Sequence, residues 1–447
     1  MRDIAELDLQ KQPNGFVEKY KHINCVFEDI TLKNNKLDPD CINGGKLTLW
    51  PEELNNWIAI DELIPENFLN FSIMPFRSYI KYYEVKEIPN EKYLYIINVS
   101  NAMYFPKNLD TGFKNISQKV IQDIRNKKAK LVILMAYEGN SGVWGHENDF
   151  NIIQNWVTQA NLPGEMVYYI NGNLISNKKI QDSNFTYKAV GTSCFETWNA
   201  NYNVKEVVEF NPNNSQYLYL NLNRVPRQHR VYFLAELLNK GLLNKGLNSW
   251  NLTIAPQLLK NLEIYKHVVS IYDNNIVKDS MYFFNNPIGL IDTDVVPNLA
   301  INLNKKIYEE TFVSIVSETI IDNNSVFLSE KIWKPIMLGH PFMIVGSNNM
   351  LEKLKEFGYK TFDRWFDETY DIAANLKEKN NIILNNLKKY ENMSIEELKN
   401  IRKEMHEVCL HNKKVFDEKI NNMLDPSGNL IHNAPVMDTL LKVYDKW

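Results

Sequence analysis

The chain has 447 residues and a formal net charge of −4, with 44% hydrophobic and 23% charged residues. This balance excludes a largely disordered protein and a surface that is cationic throughout, although a local basic channel for nucleic acid remains compatible with it. The length predicts two or three domains.

The cellular setting is predicted to be the cytoplasm. The N-terminal sequence MRDIAELDLQ lacks the apolar core of a secretion signal, and no apolar run reaches the ~20 residues of a membrane span. The four cysteines lie far apart and form neither a CxxC pair nor a zinc spacing, which suits a reducing compartment. The abundance of Asn, Lys and Ile is typical of a low-GC genome such as that of a phage, in which case the setting is the host cytoplasm.

The first half of the chain alternates strand and helix patterns. Residues 1–90 show weak signals, a strand at Gly44–Trp50 and a short helix at Pro51–Trp57. Continuous apolar runs of strand length, separated by helical patterns, then predict parallel strands covered on both faces. The predicted strands are Lys92–Ser100, Ala129–Ala136 and Glu165–Asn171, and the predicted helices are Asn115–Lys127 and Phe150–Gln159.

The same alternation restarts after a turn-rich break at Asn211–Ser215. A run from Ile372 to Asn422, dense in Lys, Glu and Asn, predicts long polar helices. The other predicted strands are Gln216–Leu222, Thr311–Glu318 and Pro341–Gly346, and the predicted helices are Pro226–Gly241, Ser329–Leu338 and Asn348–Phe357.

This order predicts an α/β protein with two Rossmann-like domains that face a cleft. We expect an N-terminal domain at 1–210, a second α/β domain at 211–371, and a helical extension at 372–447 that packs back on the core. Ligands of such sheets bind where the parallel strands reach their carboxyl ends.

The densest chemical signal is VFLSEKIWKPIMLGHPFMIVGS, residues 326–347. Ser329 is a candidate helix N-cap, which places Glu330 and Lys331 in the first turn, where the helix dipole favours an anion. Lys331 suits a phosphate, and Glu330 could accept the two hydroxyls of a ribose. The alternative is that both are ordinary surface charges of a helix start.

The segment from Phe312 to Gly346 resembles the donor-binding half of GT-B-fold glycosyltransferases, most closely the fucosyltransferase type. In that family an acidic residue follows a strand, and an aromatic–Thr–Glu–Lys helix start comes after a gap. The resemblance implies that Glu330 holds the nucleotide ribose, that Lys331 holds the diphosphate, and that Glu318 contacts the donor sugar or ribose. Two departures from the family pattern are Ser329 in place of Thr and Lys334-Pro335 after the motif.

A second signal is NLNRVPRQHR at 221–230, where a strand ends and a helix begins. Arginine forks bind phosphate oxygens in bidentate fashion, and a helix N-terminus adds its dipole. In the family that the chain resembles, an Arg soon after this strand touches the diphosphate, a position that Arg224 or Arg227 fits, with Arg227 preferred. The alternative is a basic helix start that pairs with surface acids.

The loop after the apolar strand at 129–136 carries the candidate catalytic base. Glu138 lies at the carboxyl end of that strand, in a glycine-bearing loop able to close on a substrate. His146, Glu147 and Asp149 are the other candidates. The alternative is a polar loop without a chemical role.

Together these features predict an inverting, metal-independent glycosyltransferase that uses a nucleotide-diphosphate sugar and no other cofactor. The acceptor would be a hydroxyl of a glycan or small molecule, or a hydroxymethylated phage DNA base flipped out of the duplex. The alternative function is a non-catalytic viral binding or structural module that keeps a glycosyltransferase fold.

Other motifs carry less chemistry. The Asp292-Thr293-Asp294 triplet matches a metal-binding DxD pattern but is expected to be a turn. Neither a P-loop nor a His-Glu-x-x-His motif occurs. Tyr370 and Asp371, in an aromatic and acidic segment, could touch the donor, but core and capping roles are expected for them.

Overall fold

The computed structural model describes residues 23–29, 32–33, 36–37, 81–83, 88–98, 113, 116–135, 149–193, 206–212, 217–223, 228–250, 303–319, 321, 325–424 and 434–447. The strand and helix predicted at Gly44–Trp50 and Pro51–Trp57 lie outside these residues. Contacts divide the chain into two compact units. The described part of the first comprises the residues up to 193 and from 420 onwards, and that of the second comprises 206–419.

The elements are numbered in chain order within the described residues. The strands are β1 (Asn24–Asp29), β2 (Leu32–Lys33), β3 (Lys36–Leu37), β4 (Lys81–Tyr83), β5 (Tyr93–Asn98), β6 (Ala129–Met135), β7 (Val167–Asn171), β8 (Lys188–Gly191), β9 (Tyr217–Asn223), β10 (Gly246–Trp250), β11 (Thr311–Ser317) and β12 (Phe342–Val345). The α-helices are α1 (Gln118–Arg125), α2 (Asp149–Gln159), α3 (Ser176–Asp182), α4 (Gln228–Asn239), α5 (Lys305–Glu309), α6 (Glu330–Leu338), α7 (Met350–Glu356), α8 (Leu376–Tyr390), α9 (Ile395–Asn421) and α10 (Ala434–Asp445).

The first unit is built on a parallel sheet with the described strand order β4-β1-β5-β6-β7-β8. Every residue of β6 and β7 is buried, as the continuous apolar runs of these strands predict. Helix α1 begins at the N-cap Ser117, whose side chain accepts a hydrogen bond from the Val120 amide, and buries Val120 and Ile124 in the core.

The C-terminal helix α10 belongs to the first unit and is bonded to its sheet. The buried Lys130 on β6 donates to the Val443 carbonyl at 2.7 Å and lies 4.5 Å from the Trp447 ring centroid. The Trp447 indole donates to the Lys127 carbonyl, and the Tyr444 hydroxyl donates to the Lys92 carbonyl. Burial lowers the pKa of Lys130 to about 8, helped by neighbouring lysines.

The second unit holds another parallel sheet, of order β10-β9-β11-β12. Helix α6 runs between β11 and β12 along the chain, and it ends at Gly339, which has φ +62°. A Cβ at Gly339 would lie 2.7 Å from the Val207 side chain, so both the left-handed backbone and the close packing require glycine.

The long polar helices α8 and α9 pack on the second sheet through a buried arginine and aromatic rings. Arg402 on α9 donates to the Phe312 carbonyl at 2.7 Å and to the Val208 carbonyl at 3.2 Å. Tyr390 at the end of α8 lies 5.1 Å from Phe312 between ring centroids. These contacts explain how helices of such polar composition join a core.

The predicted α/β class, with two Rossmann-like halves and a helical C-terminal region, is confirmed. The predicted domain limits of 1–210, 211–371 and 372–447 stay a prediction, and the contacts assign 372–419 to the second unit and the chain from Ile420 to the first. Within the described residues, no helix is long and apolar enough to span a membrane.

Replacing Arg402 by Ala should lower the free energy of unfolding by about 2–4 kcal/mol, because the buried carbonyls of Phe312 and Val208 would lose a charged donor. Denaturant unfolding measures this change. The matched control is Lys403→Ala on the adjacent, exposed position of α9, expected within about 0.5 kcal/mol of the parent. Equal effects of the two substitutions would contradict the role given to Arg402.

Candidate functional site

The site predicted from the sequence lies at the carboxyl edge of the second sheet. All strands of this sheet are parallel, so β9, β11 and β12 end on the same side. Glu318 directly follows β11, and Gly346 directly follows β12. This is the edge at which open α/β sheets bind their ligands.

Glu318 joins the end of β11 to the start of α6. Its carboxylate is fully buried and accepts hydrogen bonds from the Ser329 amide at 3.3 Å, from the Thr319 amide at 3.1 Å, and from the Ser329 hydroxyl. Burial raises the pKa of Glu318, against the opposing effects of Lys331 and Ser329. Ser329 in turn caps α6, since its Oγ accepts from the Lys331 amide at 3.4 Å.

Glu330 and Lys331 form an ion pair in the first turn of α6, and both side chains stay partly accessible, at 17% and 24% exposure. Lys331 Nζ also donates to Thr319 Oγ1 at 2.8 Å and to Ser329 Oγ at 3.3 Å. Burial acts to raise the pKa of Glu330, but the charge and hydrogen bond of Lys331 outweigh it and lower this pKa to about 2. The turn therefore carries a carboxylate that is ionised at neutral pH beside an ammonium group.

The neighbouring helix start is filled by a protein carboxylate. Asp371 accepts hydrogen bonds from the Met350, Leu351 and Glu352 amides at 3.0, 3.1 and 3.4 Å and so occupies the N-terminus of α7. Tyr370 is buried beside it. The expected core and capping roles of Tyr370 and Asp371 are thus confirmed. Helices α6 and α7 both start near this edge of the sheet, and at α7 the first backbone amides are already bonded to Asp371.

The arginine segment is only partly visible. Arg224 and Arg227 lie outside the described residues, and α4 is described from Gln228. Arg230 is buried and donates to the Ser317 and Glu318 carbonyls at 3.2 and 3.0 Å. A ring nitrogen of His229 lies 2.9 Å from the Glu318 carbonyl oxygen. These two residues, both buried, fasten α4 to the end of β11.

Sequence reasoning missed a buried polar network across β10, β9 and β11. Asn221 Oδ1 accepts from Ser317 Oγ at 3.2 Å and from Asn223 Nδ2 at 3.0 Å, and Asn221 Nδ2 donates to Asn248 Oδ1 at 3.4 Å. The network fixes the ends of β9 and β11 side by side. Its signal in the sequence is the repeated asparagine in a strand that is otherwise apolar and aromatic, YLYLNLN.

The predicted catalytic loop lies almost wholly outside the described residues. Glu138, His146 and Glu147 of this loop are not among the described residues. The same is true of Asp292 and Asp294 in the separate DxD triplet. Asp149, the remaining candidate, is among the described residues. It is buried at the first position of α2 in the first unit. Across the described ranges, no three His, Cys, Asp or Glu side chains come together as a metal-binding group.

Comparison with known proteins gives a distant structural likeness. No family model matches the sequence, and no curated protein matches it. Among solved structures, the catalytic domain of starch synthase IV from Arabidopsis thaliana bound to ADP and acarbose is similar, with a TM-score of 0.35 and 8% identity over 73% of this chain and 72% of that chain. The fucosyltransferase type and a phage origin find no support in these comparisons. A likeness of this degree assigns no function by itself.

Glu330→Gln should change how the free energy of unfolding falls with decreasing pH in the acid range. The pKa of Glu330 is lowered in the folded chain from 4.5 to about 2, so its contribution to stability is complete above pH 4.5 and is lost as the pH falls towards 2. We expect the variant to be less stable at pH 6 by about 1–3 kcal/mol and to lose less stability between pH 5 and pH 3. Urea unfolding across this range measures both quantities.

The control is Glu356→Gln, which removes a carboxylate from the more exposed Lys353–Glu356 pair on α7. Between pH 5 and pH 3 this control should lose as much stability as the parent. If Glu330→Gln also lost as much stability as the parent over this pH range, Lys331 would not be what holds the Glu330 carboxyl ionised.

Proposed function

We propose that the chain is a glycosyltransferase that takes a sugar from a nucleotide-diphosphate donor bound at the carboxyl edge of the second sheet. The observation that carries the proposal is the cluster of Ser329, Glu330 and Lys331 at the start of α6. It combines a capped helix N-terminus, a partly accessible ammonium and an ionised carboxylate.

The diphosphate would bind at the start of α6 through Lys331. A helix N-terminus and an ammonium group both favour an anion, and the start of α7 is already filled by Asp371. Arg224 and Arg227 follow β9, which pairs directly with β11, so their positions along the chain suit contacts with the same phosphates.

The ribose would bind through Glu330. A carboxylate with two acceptor oxygens can take both ribose hydroxyls, and the low pKa of Glu330 keeps it ionised for this task. Without ligand, Glu330 and Lys331 neutralise each other. When the donor binds, each would exchange this partner for a part of the nucleotide, so neither charge is left unpaired.

Glu318 would act on the donor through Ser329. Its buried carboxylate already accepts three hydrogen bonds from Ser329 and Thr319. The carboxylate therefore lies beneath the first turn of α6 and away from solvent. We therefore infer that Glu318 holds the N-cap in place and that its effect on the donor sugar or ribose is indirect.

The transfer would be inverting and would need no metal ion. Glu138 would take the proton from the acceptor hydroxyl as the oxygen attacks the anomeric carbon from the face opposite the diphosphate. The bond from the anomeric carbon to the diphosphate oxygen breaks, and its electron pair leaves with the diphosphate. Lys331, Arg224 and Arg227 would offset the charge that develops there.

The acceptor would be a hydroxyl of a glycan or small molecule, or of a hydroxymethylated DNA base, and the sugar moved a hexosyl, fucosyl or pentosyl unit. The second candidate function is a non-catalytic binding module with the same fold. Titration with UDP, GDP and ADP separates the two, because a module without a donor site would gain no thermal stability from any of them.

Lys331→Ala should weaken binding of the stabilising nucleoside diphosphate by about tenfold or more. It should also lower the stability without ligand by about 1–3 kcal/mol, because it breaks the pair with Glu330. Calorimetric titration measures the affinity. Lys353→Ala is the matched control, because Lys353 is also paired with a glutamate but lies on α7. Equal affinities in the parent and Lys331→Ala would remove Lys331 from the donor site.

Glu138→Gln should lower the turnover number by at least about 100-fold and leave the affinity for the nucleoside diphosphate within about twofold, because a general base acts on the acceptor proton and not on donor binding. The assay is release of nucleoside diphosphate in the presence of acceptor. The same substitution at Glu147 serves as the comparison, and a larger loss there would move the role of base to Glu147.

A further inference from the structure

The second unit carries a groove away from the cluster at the start of α6. It lies between the loop that follows α7, from Tyr359 to Trp365, and the face of α9 that bears Glu404, Glu407 and Val408. The groove is a shallow depression with a volume of about 480 Å³, and it is more open to solvent than enclosed.

Hydrogen bonds from neighbouring elements fasten the loop that forms one wall of the groove. Asn412 on α9 accepts from the Lys360 amide at 2.7 Å and donates to the Lys360 carbonyl at 2.9 Å. Glu368 accepts from the Thr361 hydroxyl at 2.8 Å and from the Phe362 amide at 2.7 Å. The Tyr390 hydroxyl bonds to the Trp365 carbonyl. A ligand would therefore meet a preformed surface and cause little loss of loop entropy.

The side chains at the groove combine one indole with charges of both signs. The Trp365 Nε1 donates to Glu404 Oε2 at 3.3 Å, and Arg364 approaches the same oxygen at 3.4 Å. Glu404 is 52% exposed and both bonds use Oε2, so its carboxylate keeps capacity to accept a hydroxyl. Three basic and three acidic side chains line the groove, namely Lys355, Lys360, Arg364, Asp363, Glu404 and Glu407.

This composition favours a neutral ligand rich in hydroxyl groups. Charges of both signs in equal number give no net attraction for an anion or a cation, whereas each can hydrogen-bond a hydroxyl. The indole is the aromatic part of the groove: its N–H donates to Glu404, and the Arg364 guanidinium lies over its ring with Cζ 5.3 Å from the centroid.

We propose that this groove is a binding site for a neutral oligosaccharide, separate from the donor site. Trp365 packs against a sugar ring, and Glu404 and Arg364 bond its hydroxyls. The site does not depend on the proposed transferase activity, because it binds its ligand without nucleotide and without turnover.

The test is calorimetric titration of the full chain, without nucleotide, using maltoheptaose, cellopentaose, mannopentaose and xylohexaose as probes. We expect at least one to bind with a dissociation constant at or below about 1 mM. Glu404→Gln should weaken that binding about tenfold. The matched control Glu418→Gln, on the same helix and in an ion pair with Lys414, should leave it unchanged.

Trp365 supplies a second check, because Trp365→Phe keeps an aromatic wall and Trp365→Ala removes it. Binding that persists in the Phe variant and is lost in an Ala variant that still melts cooperatively supports the proposal. It is overturned if none of the four oligosaccharides binds at about 10 mM, or if Glu404→Gln and Glu418→Gln bind equally well. It is also overturned if a sulfated oligosaccharide binds and the neutral ones do not.

Discussion

The hydrogen bonds between the buried Glu318 carboxylate and Ser329 are the constraint on which the candidate site depends. They tie the residue that follows the core strand β11 to the first turn of α6. The position of Lys331 therefore follows from the position of the sheet. Arg230 and His229 hold the same strand end from the other side. Glu330 and Lys331 are the members of this cluster whose side chains stay partly exposed.

Two glutamates in this cluster have opposite pKa shifts although the same lysine acts on both. Glu318 is fully buried, and the loss of solvent raises its pKa despite Lys331. Glu330 keeps some exposure and a direct contact with Lys331, so its pKa falls. The difference in exposure and in contact with Lys331 thus gives the two carboxyls opposite pKa shifts, although they lie at the same strand-to-helix connection.

Much of the fold follows from patterns that depend on neighbouring residues alone. The apolar runs of β6 and β11 and the Ser329 cap of α6 were all predictable, because burial on both faces and N-capping leave local marks. The bonds of Arg230 and Arg402 were not, since each reaches carbonyls 87 or more positions away along the chain. The buried position of Glu318 was equally hidden, because an acid after a strand is typical of both exposed and enclosed sites. The short strands β8 and β10 have weak patterns and gain their pairing from β7 and β9.

The return of α10 to the first unit has a consequence for biosynthesis. Lys130, Lys92 and Lys127 meet partners at 443–447, which are translated after the whole of the second unit. The second unit, which ends at Lys419, is therefore synthesised in full while the sheet of the first unit still lacks α10. The unit whose synthesis begins first is therefore completed after the second unit.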